Sequence, residues 1–212
     1  NYKFRTFICQ DEENAIDKGT KSWIDKFMNA PNKNGSQTIS EACAGHRPYW
    51  YSLNPKRAHI ITAINPYERF FFTFAKEPFV IDQRLIAMQV QEGYDVELIA
   101  ALLNSVITFL ILEMRGTSRN LGALDLNADF LKQLKMLNPN LLNKKDVDAI
   151  ISAFRPIKNR TINSVMEEVT RTDRRKFDTA ILRCFGLDEK LLDNLYNVFI
   201  GAVNDRISMS KK

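Results

Sequence analysis

Two short stretches gather most of the side chains able to do chemistry. GHRPYWYSLNPKR, residues 45–57, brings Arg47, Tyr49, Trp50, Tyr51, Lys56 and Arg57 close together. EMRGTSRNLGALDL, residues 113–126, sets Arg115, Arg119 and Asn120 among small residues and holds two of the chain's eight glycines. Arg69, Lys76 and Arg84 recur between the two stretches. Lysine and arginine meet phosphates, arginine and tyrosine also reach base edges, and glycine lets a backbone approach closely. A plainer reading stands beside each assignment. Trp50 fits an aromatic core, and Arg115 and Arg119 suit the negative end of a helix dipole.

Covalent and metal chemistry have less to work with. There is no G-x-G-x-x-G, P-loop, G-x-S-x-G or H-E-x-x-H motif. His46 and His59 are the only histidines, and His59 opens a strand-like run. Cys43 and His46 sit three residues apart with no third orienting group marked, which leaves a small hydrolase as a distant alternative. Cys9, Cys43 and Cys184 are odd in number and far apart, the pattern of reduced thiols in a cytosolic protein rather than of a zinc site.

The elements that must position these groups follow from periodicity. YKFRTFIC (2–9) alternates as a first strand, and NAIDKGTKSWIDKFM spaces Ile16, Trp23, Ile24 and Phe27 as a helix. PYWYSL, AHIITAI, RFFFTFA and FVIDQRLIAMQV read as strands of an antiparallel or mixed sheet. YDVELIAALLNSVITFLILEM predicts one long helix with an acidic first turn. Leu98–Leu112 carries no charge, yet it is too short and too polar at Asn104, Ser105 and Thr108 for a bilayer, so a buried helix fits and no membrane partner is expected. LGALDL predicts a return strand and NADFLKQLKML a short helix capped by Asn127. Four helices then follow, with Gly186 closing one and Asp188 capping the last. On one of them, Arg171, Arg174, Arg175 and Lys176 are expected to form a solvated, internally paired face.

The fold class expected is α+β: a mixed or antiparallel sheet packed on a long helix, then a C-terminal helical tail, divided into domains over 1–140 and 141–212. The net charge of +5 permits a polyanionic partner. Residues 121–160 hold seven basic and four acidic side chains, an excess of three that does not define a DNA-binding face by counting alone. With no initiator methionine or signal segment, the chain reads as a piece of a longer protein.

Three segments together carry a resemblance: GHRPYWYSLNPKRAHIITAINPYERFFFTF, LIAALLNSVITFLILEMRGTSRNLGALDLNADFLKQLKMLNP and DRRKFDTAILRCFGLDEKLLDNLYNVFIGAVNDRIS. They resemble the C-terminal part of gamma-class N6-adenine DNA methyltransferases of bacterial restriction-modification systems, and Type I specificity-subunit recognition domains. The LNS helix, basic glycine loop and return strand are the most telling part. AINPYERF is similar to the Asn-Pro-Pro-Tyr signature of amino-methyltransferases, but it lacks the second proline and reads as a turn between strands. Neither a cofactor-binding nor a catalytic signature is present.

The resemblance implies that 1–140 is a target-recognition-like domain whose partners are double-stranded DNA and a catalytic methyltransferase domain of the parent chain. It implies no cofactor in these 212 residues and S-adenosylmethionine in that catalytic domain. The DNA contacts expected are Arg47, Tyr49, Lys56, Arg57, Arg69, Arg84, Arg115, Arg119 and Asn120. Arg47 and Arg57 are assigned to base reading, and Arg115 and Arg119 to phosphates. The alternative from another class is a protein–protein adaptor that binds no DNA.

Overall fold

The computed structural model describes residues 7–12, 15–81, 85–119 and 122–209. It is α+β, and it divides into two compact units, residues 1–55 and residues 56–212.

In the first unit, the Asp17 carboxylate accepts from the amides of Gly19 and Thr20 and so caps α1 (Lys18–Met28). Thr38 and Glu41 form a capping box on α2 (Ile39–Ala42). Cys9, Ile24 and Tyr51 make a small core, with Phe7, Ile16, Tyr49 and Trp50 packed against it. The strand expected over 48–53 is instead a series of turns, closed by the Ser52 amide donating to the Tyr49 carbonyl. Strand geometry would send consecutive rings to opposite faces, whereas Tyr49, Trp50 and Tyr51 all pack on this one cluster. The strand expected over 2–9 falls outside the described residues as far as residue 6, and residues 7–9 are not strand.

In the second unit, β1 (Arg57–Ala63) lies between β2 (Thr73–Val80) and β3 (Leu85–Met88), antiparallel to both. Ala58, Ile60 and Thr62 are buried and their neighbours in β1 less so, the period of two that a sheet with one covered face requires. β2 begins later than RFFFTFA suggests because the Asn104 side chain takes both polar groups of the Phe72 backbone. Its Oδ1 accepts from the Phe72 amide at 3.0 Å and its Nδ2 donates to the Phe72 carbonyl at 2.8 Å.

The long apolar run is not one helix but two, α3 (Val96–Leu103) and α4 (Val106–Arg115), bent by 58°. The break is built rather than frayed. Asn104 ends α3, Ser105 caps α4 through the Thr108 amide, and the Val106 amide donates to the Asp178 carboxylate at 2.8 Å. No single helix among the described residues is long and apolar enough to cross a membrane.

A two-stranded ribbon of β4 (Thr117–Ser118) and β5 (Leu124–Asp125) comes next. Asn127 then caps α5 (Ala128–Lys132), its side chain accepting from the Phe130 amide at 2.7 Å. α6 (Lys144–Lys158), α7 (Val165–Glu168), α8 (Thr172–Cys184) and α9 (Leu191–Met209) complete the unit. Gly186, at φ +68°, lets the Leu187 amide turn back to the Leu182 carbonyl and close α8. The Asp188 carboxylate accepts from the Lys190 amide just before α9.

These helices do not stand apart from the sheet. Ile60 and Phe70 share one core with Leu182, Tyr196, Phe199 and Val203. Leu98, Ala101 and Leu102 share a second with Ile150, Phe154, Phe177 and Ile181. A three-stranded sheet needs a partner layer to bury its apolar face, and the late helices supply it. The division therefore falls after Pro55 rather than at the expected 140/141.

Candidate nucleic-acid interface

The basic glycine loop begins where α4 stops. Gly116 is extended (φ −68°, ψ 157°), and a Cβ there would stand 2.6 Å from Leu124 Cδ1 and 2.8 Å from the Leu112 carbonyl oxygen. Glycine is thus required by close approach, not by left-handed backbone. Gly122, at φ +72°, does need that freedom. Its amide donates to the Arg119 carbonyl, and the Arg119 amide donates to the Ala123 carbonyl, closing the turn between β4 and β5.

Both arginines project outward. Arg115 stands 6.0 Å over the Phe130 ring. Arg119 is 61% exposed and pairs at 2.6 Å with Asp125, whose carboxylate is half-buried, so the guanidinium is open to solvent on its outer side.

A second loop, residues 64–72 between β1 and β2, is fastened beside the first. Leu124 and Leu126 donate their amides to the carbonyls of Pro66 and Ile64, and Asn65 Nδ2 donates to Asp125 Oδ1. The Val165 amide donates to the Glu68 carbonyl. Beneath both loops, the buried Arg206 of α9 pairs with the buried Glu113 of α4 at 2.6 Å, donates to the Tyr67 carbonyl at 2.6 Å, and donates to the Gly122 carbonyl. Irregular backbone is held almost like a strand, while Tyr67, Glu68 and Arg69 remain exposed.

Arg69 stacks 5.6 Å from the Phe71 ring and opens onto a cleft of about 540 Å³, which Lys158 and Arg160 also line. The cleft is not freely cationic. Lys158 pairs with Glu97 at 2.5 Å, and Arg160 is bidentate to Glu168 and also bound to Asp173.

Behind the cleft lies a buried polar network that corrects the solvated face expected around residues 171–176. Arg175 and Lys176 do lie outward, but Arg174 is 3% exposed and Asp178 fully buried. Arg174 donates to the Asn104 carbonyl at 2.6 Å, and its guanidinium lies 5.6 and 5.7 Å from the Phe109 and Phe177 rings. Burial works to raise the Asp173 carboxyl, yet hydrogen bonds from Arg160 and Arg171 prevail and hold it at about 2. Burial opposes ionisation of Glu168 too, and its bonds from Arg160 and the Asn163 amide keep it below the usual range. At Asp178 desolvation wins over the nearby Arg174 and pushes the carboxyl up. Burial, reinforced by Asp178, likewise raises the Tyr196 phenol that donates to it at 2.8 Å.

The nine expected contacts are therefore not one cluster. Arg115 and Arg119 share the glycine loop, and Arg69 sits on the neighbouring loop. Lys56 and Arg57 are exposed at the start of β1. Arg47 and Tyr49 belong to the first unit. There Arg47 is exposed but turns back on the carbonyls of Ala44 and His46, and Tyr49 stacks on Tyr51 at 5.1 Å. Arg84 and Asn120 lie outside the described residues.

Of the histidines, His46 Nδ1 lies 3.1 Å from the Trp50 carbonyl, and His59 accepts from the Val90 amide. Among the described residues no group of three or more His, Cys, Asp or Glu side chains is placed to hold a metal ion.

Sequence reasoning passed over Tyr67, Glu113 and Arg206. Tyr67 was legible as an aromatic residue in the Asn-Pro-Tyr-Glu-Arg turn, where burial in a core is hard to arrange. Nothing local marks Glu113 and Arg206 as partners, since 93 positions separate them. No family model, curated protein or solved structure matches the chain.

Proposed function

We propose that this chain is a DNA-recognition module of a site-specific adenine-N6 DNA methyltransferase of a restriction-modification system. One observation carries the reading: two adjacent loops present Arg69, Arg115 and Arg119 outward on tethered backbone, while the one carboxylate of the α4 terminus, Glu113, is turned inward. Arg115 and Arg119 contact phosphates and fix register. Arg57, at the exposed start of β1, reads base edges, with Lys56 and Arg69 adding phosphate contacts. Arg47, Tyr49, Arg84 and Asn120 stay in the proposed contact set on residue type alone.

In this reading the parent protein works in the cytoplasm. S-adenosylmethionine and the flipped adenine would be held by a catalytic domain outside these 212 residues. The present chain contributes binding and orientation, and no chemical step.

The test is binding to mixed-sequence duplex DNA across a salt series. The slope of log K against log salt should be negative. Arg115→Ala with Arg119→Ala should lower affinity for all sequences alike and reduce the slope by about two. A well-folded chain with no binding at low salt would sink the proposal. The adaptor reading draws on exposed apolar side chains of α9, Val198 at 55% and Met209 at 72% exposure, and gains ground in that outcome.

A further inference from the structure

We infer that the buried Glu113–Arg206 pair is a positioning device, whose role is to set the two exposed loop tips, Tyr67 and the Arg119 turn, in one fixed arrangement. For DNA contact this rests on the recognition reading; for loop order it does not.

Three observations support it. Both side chains are almost wholly buried, 3% and 4% exposed, although one lies at the end of α4 and the other near the end of α9. A buried ion pair of this kind often contributes little net stability compared with apolar residues of the same volume, because desolvation offsets the attraction. A role other than net stability is therefore to be sought, and the remaining donors of Arg206 show where. They go to the backbone carbonyls of Tyr67 and Gly122, one in each of the two loops.

Those carbonyls mark the tips. The Tyr67 side chain is 40% exposed, an aromatic ring standing in solvent on a fastened backbone. Gly122 closes the turn that carries Arg119. A planar guanidinium fixes several acceptors in one plane, which a lysine ammonium does not. Tyr67 and Arg119 are thus set relative to each other by a group that neither of them touches through its side chain. In a bound duplex, Arg119 meets phosphate and Tyr67 lies against the neighbouring sugar or base edge.

The test uses the 212-residue chain and the paired replacement Glu113→Leu with Arg206→Met, which removes the staple without leaving a lone buried charge. Arg206→Lys is the second variant, keeping the charge opposite Glu113 but losing the fork, and it serves if the paired replacement does not fold. Amide exchange is followed at Arg119 and Leu124, which flank the turn of the glycine loop, and at Ile60 and Ile61 in β1. Exchange should rise at least tenfold at the loop amides with the strand amides unchanged. Equal exchange at the loop amides in variant and parent overturns the inference.

Duplex affinity should fall as well, and Arg119→Ala should then cost far less in the stapled-out background than in the parent, while Arg57→Ala costs the same in both. Full additivity with Arg119→Ala overturns positioning in favour of a general structural effect. If the parent binds no duplex yet the loop amides loosen as expected, the staple stands and the DNA reading fails.

Discussion

Arg174 and Arg206 are both buried arginines on late helices, 3% and 5% exposed, and they hold different things. Arg174 of α8 lies among Glu168, Asp178 and the Asn104 carbonyl, so its partners are the helical layer itself. Arg206 of α9 has one carboxylate, Glu113, and two loop carbonyls. The same chemistry fastens a scaffold in one place and exposed loops in the other. What separates them is the identity of the acceptors, not burial or charge.

The inward network is the easier of the two to break. Glu168→Ala would leave Arg160 and the buried Arg174 short of a carboxylate and should cost about 3–5 kcal/mol in urea unfolding. A loss under about 1 kcal/mol would show that the scaffold does not depend on this network. Asn104→Ala tests the link to the loops, because it removes the side chain that holds Phe72 at the end of the second loop and leaves in place the backbone carbonyl that accepts from Arg174. Each orphaned group of Phe72 should cost about 1–3 kcal/mol, and an unchanged unfolding midpoint would remove this residue as the link.

Acid sharpens the comparison further. The folded Asp173 carboxyl is depressed from 3.8 to about 2, so its stabilisation is fully present above the ordinary value and is lost as pH falls from near 4 towards 2. It amounts to about 2 kcal/mol. Asp173→Asn should flatten the fall in melting temperature over that window and leave loop amide exchange unaffected; an unchanged acid profile would contradict the assignment. The smallest effect belongs to the outward loops. Asp125→Asn removes the half-buried carboxylate that pairs with the exposed Arg119 and should change stability by about 1 kcal/mol or less while raising duplex affinity. A lower affinity would mean that Asp125 orients Arg119 rather than competes for it.

Local chemistry made much of the fold legible. Gly186 and Asn127 act at helix ends as their residue types suggest and alternation found β1, whereas Asp188 caps the turn that precedes α9 rather than the helix itself. The run from Leu98 to Leu112 misled, because apolar periodicity continues through a break that only Asn104 and Ser105 mark, and both bond to residues distant in sequence or to the opening turn. PYWYSL misled for the opposite reason: aromatic richness signals a strand until three consecutive rings pack on one cluster.

At the candidate site, the exposed arginines were legible as types and positions. The groups that fix them were not, because Glu113 and Arg206 look like ordinary surface charges on amphipathic helices. Their burial follows from how α4 and α9 pack, which no local window contains. The separation of Arg47 and Tyr49 into another compact unit was hidden for the same reason.

One helix ties the interior together. α3 gives Ala100 and Leu103 to the core shared with β1 and α9, and Leu98, Ala101 and Leu102 to the core shared with α6 and α8. Eight residues thus form a wall common to two chambers. Local opening of α3 should therefore expose both at once. The second unit should behave as a single cooperative block, with its least protected amides confined to the rim that the loops occupy.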